Sequence, residues 1–157
     1  MSELEKTIVR IEEQEMSLVF DAFGSEAALE IGMLLVQRAK AERLGIAVNV
    51  TKGAQVLFHH ALEGTSPDND HWVRRKNNTV YRFHMSSYRF GQSLKNEGTT
   101  MQQRFGVSDA EFCESGGAVP VRVRDVGVVG TVTVSGLAEE DDHELVVWAM
   151  REHLNGK

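Results

Sequence analysis

Two valine-rich stretches, each broken once by a turn signal, limit the folds open to this chain. In IAVNV, residues Ile46, Val48 and Val50 alternate with Ala47 and Asn49, the spacing of a strand with one buried face. TKGA follows as a turn, and QVLFHHAL reads as the returning strand of a hairpin. The pattern recurs in AVPVRV and VGVVGTVTVSG, folded back around Arg124, Asp125, Val126 and Gly127. Val119, Val121 and Val123 share a face of the first arm, and Val126, Val128, Val132 and Val134 a face of the second. Hairpins separated by helices predict an antiparallel sheet with helices packed on it, not a parallel doubly wound sheet. No strand leads into a glycine-rich phosphate loop.

The helical segments carry their own start and stop signals. Leu4, Ile8 and Ile11 recur at helical spacing over residues 3–14, and MSLVF (16–20) reads as a short strand. Ser25 is a candidate N-cap for a helix whose stripe is Ile31, Leu34, Leu35 and Ala39 and which Gly45 ends. Ser66-Pro67 opens the next helix, since proline in the first turn gives up only an amide that lacks a helical partner. Val80, Phe83, Ser87, Phe90 and Leu94 extend it toward Gly98. A short helix is expected near 99–104. EEDDHELVVWAMREHL closes the chain as a helix with an acidic first turn and Leu145, Val146, Ala149 and Met150 on its apolar face.

At 157 residues the chain suits a single domain spanning 1–157 with a full hydrophobic core. A net charge of -6 disfavours binding to nucleic acid or anionic membrane through the overall field. The N-terminus is charged and no apolar run is long enough to span a bilayer. Cys113 is the sole cysteine, so no intrachain disulfide forms, which suits a reducing compartment. The expectation is a cytoplasmic protein without membrane or nucleic-acid partners.

Basic and hydroxyl groups gather between Gly64 and Arg89. Arg74, Arg75 and Lys76 are either a solvated helix face or, with Arg82 and Arg89, a grip for carboxylate or phosphate. Arg82 and Arg89, seven apart, fall near one another on a continuous helix. Asp68, Asn69 and Asp70 suit capping. Ser86 and Ser87 either bond back to their own helix or donate to an anion. His59 and His60 are adjacent on a strand and point to opposite faces, and no HExxH or Cys-x-x-Cys occurs, so no metal site is expected. Gly116-Gly117 and Ser135-Gly136 serve sheet packing or a backbone-lined pocket at the ends of the second hairpin. Cys113 has no visible activator and reads as an inert thiol.

LFHHALEGTSPDNDHWVRRKNNTVYRFHMSSY, ESGGAVPVRV and VVGTVTVSGLAEEDDHELVV together resemble the HbpS/GlcG-like superfamily, often labelled haem-degrading domain. The likeness runs over roughly residues 5–154 and is nearest an uncharacterised branch marked by GT-PDN-W-RRK, SSY, GG-P and GT-VSGL. It implies a profilin-like α/β (α+β) fold, an antiparallel sheet flanked by helices, and homo-oligomers built from dimers. It supplies no catalytic motif, so whether the chain is an enzyme stays open. The function expected first is binding of a small anionic ligand in a helix–sheet cleft near Arg74, Arg75, Ser86, Ser87, Arg89, Gly116, Gly117, Ser135 and Gly136. Haem binding or degradation is the alternative, with His60, His71 or His84 as axial donor. Haem is not the favoured cofactor, because none of these histidines is aimed by its sequence context into an apolar slot. A third alternative is an oligomeric platform for partners, with the basic helix at a subunit interface.

Overall fold

The computed structural model describes residues 1–156. Six helices and five strands run in the order α1 (Glu3–Ser17), β1 (Val19–Phe20), α2 (Ser25–Glu42), β2 (Ala47–Lys52), β3 (Gln55–Ala61), α3 (Pro67–Phe83), α4 (Ser87–Glu97), α5 (Met101–Phe105), β4 (Ala118–Val123), β5 (Gly127–Ser135) and α6 (Glu139–Asn155). The strands form one sheet in the order β1-β4-β5-β2-β3. Both hairpins and the central β2–β5 pair are antiparallel, as the alternation predicts. The exception is the two-residue β1, which lies parallel to β4 at one edge.

The two faces of the sheet differ chemically. Val48, Val50, Val119, Val121, Val132 and Val134 turn one way and are buried with Ile31, Leu35 and Ala39 of α2 and Val146, Ala149 and Met150 of α6. The alternate residues Asn49, Thr51, Thr131, Thr133 and Ser135 are polar, yet they too are buried, because α3 covers their face. The stripe that α3 presents to the interior contains Val73, Lys76, Asn77 and Val80. With Thr79, three of the five buried residues of α3 are polar, which matches the face it covers.

Four local expectations change. The N-cap of α2 is Gly24, with Ser25 inside the helix, and the helix is ended by Arg43 in a left-handed conformation (φ 57°) rather than by Gly45. The N-terminal helix runs three residues further than 14, leaving only Val19–Phe20 as strand. Val126 and Val128 do not share the buried face of Val132 and Val134. A register shift on the β4–β5 ladder after Val121 flips the alternation, so Val129 packs toward the core and Val126 is exposed. The helix begun at Pro67 does not continue to Leu94. It ends at His84, which takes a left-handed conformation (φ 56°), and α4 starts afresh with Ser86 as N-cap.

That break is held by a buried carboxylate. Glu15 of α1 accepts the Ser86 amide (3.3 Å) and hydroxyl (3.0 Å) and pairs with Arg122 of β4 (3.1 Å). One residue earlier, Gln14 donates to Glu144 (3.0 Å) and accepts from His143 Nε2 of α6 (2.8 Å). His143 is fully buried, and its Nδ1 has no hydrogen-bond partner among the described residues. Burial drives its pKa down to about 4, against the opposing pull of the Glu144 carboxylate. The unfolded chain therefore takes up a proton near pH 6.5 that the folded state refuses until about pH 4. Stability contributed by His143 is present above the unfolded value and is lost as pH falls toward the folded one. Urea melts should show a loss of about 2 kcal/mol from pH 7 to pH 5 attributable to this residue. His143→Gln should flatten that slope, and an unchanged slope in the variant would contradict the assignment.

Candidate functional site

A cleft of about 800 Å³ opens between α3 and the β2–β3 hairpin. Its floor is a hydrogen-bonded row that crosses three elements. Asn77 donates to Asn49 Oδ1 (3.0 Å) and accepts from the Thr133 hydroxyl (2.5 Å). The Thr51 hydroxyl meets those of Thr131 (2.7 Å) and Tyr81 (2.6 Å), and Tyr81 also donates to the Gly53 carbonyl (3.0 Å). Each of these polar groups is paired, so the floor is rigid rather than adaptable.

On the cleft wall His59 lies between Asn49 and Asp70, with Nδ1 3.1 Å from the Asn49 amide and Nε2 3.1 Å from the Asp70 carboxylate. Because Asn49 Oδ1 already accepts from Asn77, its amide nitrogen donates to Nδ1. The remaining ring proton then sits on Nε2 and goes to Asp70. Arg74, one turn after Asp70, is exposed and spends one N–H on the Ala110 carbonyl (3.0 Å). A guanidinium has five such donors, so Arg74 retains capacity for a ligand. Val56, Val73 and Ala54 supply apolar wall.

A second, smaller pocket of about 240 Å³ lies at the ends of β5 and the Gly116 loop, lined by Trp72, Lys76, Gly116, Ser135, Gly136, Glu139 and Asp142 among others. Its floor is a buried ion pair. Lys76, 3% exposed, donates to Asp142 (3.0 Å) and to the Val134 carbonyl (3.1 Å). Asp142 also accepts the Leu137 (2.9 Å) and Gly136 (3.3 Å) amides. Burial raises the Asp142 carboxyl above its ordinary range, while Lys76 and these amides pull it back. Gly117 backs the pair at φ +143°, where a Cβ would collide with the Val134 carbonyl and the Lys76 ammonium.

The residues singled out by sequence therefore separate. Arg74 lines the large cleft, and Gly116, Ser135 and Gly136 line the small pocket with Gly117 behind it. Arg75 lies over the Trp72 ring, its guanidinium 4.0 Å from the centroid, and donates to the Asp109 carbonyl (3.2 Å), next to the Ala110 carbonyl that Arg74 holds. Ser86 is engaged with Glu15, and Ser87 accepts the Ala118 amide (3.1 Å). Arg89 faces Glu12 (3.7 Å) and Glu15 (3.8 Å). Arg82 and Arg89 do not share a helix face, because the turn at His84 divides them. Cys113 is buried, and burial pushes its thiol up, away from nucleophilic use. Thr51, Asn77 and Tyr81 went unnoticed in the sequence, and Asn49, His59 and Asp70 were read as a strand residue, a strand histidine and a cap rather than as parts of a site. Their signal was the polar half of the strand alternation, which reads as a solvent face until α3 is placed over it.

Comparison with known proteins places this geometry in a class. Residues 23–151 match the family described as haem degrading protein HbpS-like, and the chain belongs to that family. Within it, the chain is 42% identical over 151 residues to a UPF0303 protein of Sinorhizobium medicae, covering 96% of this chain and 92% of the relative. A UPF0303 protein of Streptomyces coelicolor is 40% identical, with 94% of each chain covered. Among solved structures, the Ybr137w protein superposes with a TM-score of 0.87 at 27% identity, over 95% of this chain and 88% of that one. A haem complex of PduOC superposes at 0.68 with 13% identity, over 83% of this chain and 94% of that one, a likeness of fold.

Three histidines, His59, His153 and His60, line cavities, while His71 and His84, the other candidate axial donors for haem, are exposed. His59 in the large cleft has both ring nitrogens engaged. His153 borders a cavity of about 1080 Å³ beside β1, but its Nδ1 is 3.0 Å from the Glu30 carboxylate and the rim carries Asp21 and Glu26, which repel propionates. His60 sits with Lys40 and Arg43 in a groove of about 420 Å³. That groove lies between the end of α2 and the end of β3. His59 and His153 are thus engaged with protein groups, and haem stays the alternative reading. Among the described residues no group of three metal-binding side chains occurs, and no helix is long and apolar enough to cross a membrane.

Asn77 is the keystone of the cleft floor. Asn77→Ala strands Asn49 Oδ1 and the Thr133 hydroxyl in a buried layer, at a cost of about 1–3 kcal/mol. Chemical denaturation should show that loss, and a variant as stable as the parent would contradict a fully paired floor.

Proposed function

We propose that this protein binds a small organic anion in the cleft between α3 and the β2–β3 hairpin, and that it does so as a homo-oligomer. The observation that carries the reading is Arg74. It stands as the open cation of a preformed cavity whose one wall carboxylate, Asp70, is already matched by His59. A cavity of this size with apolar walls and a few fixed polar groups is the ordinary form of a small-molecule site. The ligand this lining suits has a carboxylate or phosphate for Arg74 and a flat apolar body for Val56, Val73 and the Tyr81 ring. Hydroxyl or carbonyl groups on that body would meet the edge of the floor and Asn78, which lines the cleft and already spends one amide N–H on the Glu111 carbonyl (2.8 Å). Of the residues singled out by sequence, Arg74 enters this site. Gly116, Gly117, Ser135 and Gly136 build the adjacent pocket, while Arg75, Ser86, Ser87 and Arg89 join elements of the fold.

Calorimetric titration with benzoate, salicylate, 2-oxoglutarate and inorganic phosphate tests this directly. At least one aromatic carboxylate should bind, and Arg74→Ala should weaken it roughly tenfold or more, the loss of one charge-assisted hydrogen-bonding partner. Equal binding to Arg74→Ala would refute the site. For haem, the expected outcome is a broad, salt-sensitive absorbance change from screened surface contacts. A sharp, saturable, salt-resistant Soret band lost in His60→Ala would instead establish haem as the ligand.

A further inference from the structure

The small pocket at the ends of β5 and the Gly116 loop has unmet hydrogen-bonding capacity of opposite kinds at its floor and its rim. At the floor, Ser135 is 3% exposed and shares the buried polar face of β5 with Thr131 and Thr133. Those two find partners in Thr51 and Asn77, but the Ser135 hydroxyl has none among the described residues, and Ser135 lines the cavity. Buried hydroxyls are ordinarily paired, so this one is left for a group from outside the chain. Lys76 has spare capacity there too. An ammonium carries three donors, and Lys76 spends one on Asp142 and one on the Val134 carbonyl.

At the rim the surplus is negative. Asp68 and Glu139 are exposed and enter no ion pair among the described residues. One Glu139 oxygen accepts the Gly116 amide (3.1 Å), which holds the carboxylate at the mouth and leaves its other oxygen open. Lys76 and Asp142 cancel at the floor, so the uncompensated charge of the lining is the pair of rim carboxylates.

We propose that this pocket binds a small α-amino acid, with its carboxylate on Ser135 and Lys76 and its ammonium between Glu139 and Asp68. A zwitterion answers both levels at once. An anion alone meets repulsion at the rim, and an amine alone leaves the floor donors unmet. At about 240 Å³ the cavity is smaller than the usual range of about 300–1,000 Å³ for drug-sized ligands, which limits the ligand to a short side chain such as that of glycine, alanine or serine. Trp72 and Leu137 supply the apolar contact for it.

Amide spectra of the nitrogen-15-labelled protein, titrated with glycine, L-alanine and L-serine, test the proposal. At least one of the three should shift the Ser135, Gly116 and Gly136 amides saturably. Acetate and ethylamine each carry half of the ligand's polar groups and should bind at least about tenfold more weakly, since each forgoes the charge-assisted bonds of one end. Ser135→Ala should weaken the amino acid by a similar factor with its urea midpoint unchanged, because the hydroxyl has no partner in the fold to lose. Glu139→Gln keeps an acceptor for the Gly116 amide and removes the charge. It should weaken the amino acid and strengthen acetate, an opposition of sign that a structural role would not produce. Absence of saturable shifts with all three amino acids, acetate or ethylamine matching the best of them, or a Ser135→Ala variant that binds as the parent does or melts earlier would each overturn the proposal. The pocket shares no lining residue with the large cleft, so benzoate shifts at Arg74 bear on the cleft alone and either reading can fail without the other.

Discussion

The contact between α3 and the polar face of the sheet sets the rest of the structure. A sheet whose one face is valine and whose other is threonine and asparagine can leave the second face to water, or can cover it with a helix that answers every polar group. This chain does the second. Asn77 faces Asn49 and Thr133, Tyr81 faces Thr51, and Lys76 reaches Val134 and Asp142. Buried polar groups are tolerable only when paired, so the position of α3 along the sheet is fixed to within the tolerance of a hydrogen bond. A merely apolar interface would have allowed sliding. The cleft opens on this seat, with Asn49, Thr51, Asn77 and Tyr81 in its lining.

The same seat explains why the molecule places its cations as it does. Arg74 and Arg75 both reach the loop of Asp109 and Ala110, while Lys76 points inward. Lys76 goes inward to a buried partner, Arg75 goes to Trp72 and the Asp109 carbonyl, and Arg74 goes to the cleft. A run of three basic residues that looks like one patch in the sequence is thus divided between one buried ion pair and two arginines anchored on a shared loop. Removing one partner of the Lys76–Asp142 pair would leave an uncompensated charge, which costs more than the intact pair contributes.

Much of the architecture was legible before the structure, and the reason is periodicity. The valines of β2, β4 and β5 and the apolar stripes of α2 and α6 follow the repeats of their elements closely enough to give the antiparallel sheet and its apolar layer. The errors fall where a tertiary contact overrode a local pattern. Nothing in VYRFHMSSYRF reveals that Glu15, some seventy positions earlier, will accept both Ser86 donors and favour a new helix start over a continuing one. The bulge that turns Val129 rather than Val128 inward is likewise a property of the paired strands, invisible in either alone. For the site, composition drew attention to arginines and glycines, while the cleft floor is made of asparagine, threonine and tyrosine. Those residues are unremarkable until a helix buries them.

The central claim is that this cleft, with its fixed floor and Arg74 on its wall, receives an organic anion. Side-chain nuclear magnetic resonance reports on it without altering the protein, since the Arg74 guanidinium and the Asn49, Asn77 and Asn78 amide groups each give resolvable nitrogen-bound protons. Titration with an aromatic carboxylate is predicted to shift Arg74 and Asn78 saturably. Asn49 and Asn77, locked in the floor, should move less, and Lys76 and the Gly116 and Gly136 amides should stay still. Saturable shifts centred on Gly116 and Gly136 with Arg74 unmoved would place the ligand elsewhere and contradict the account.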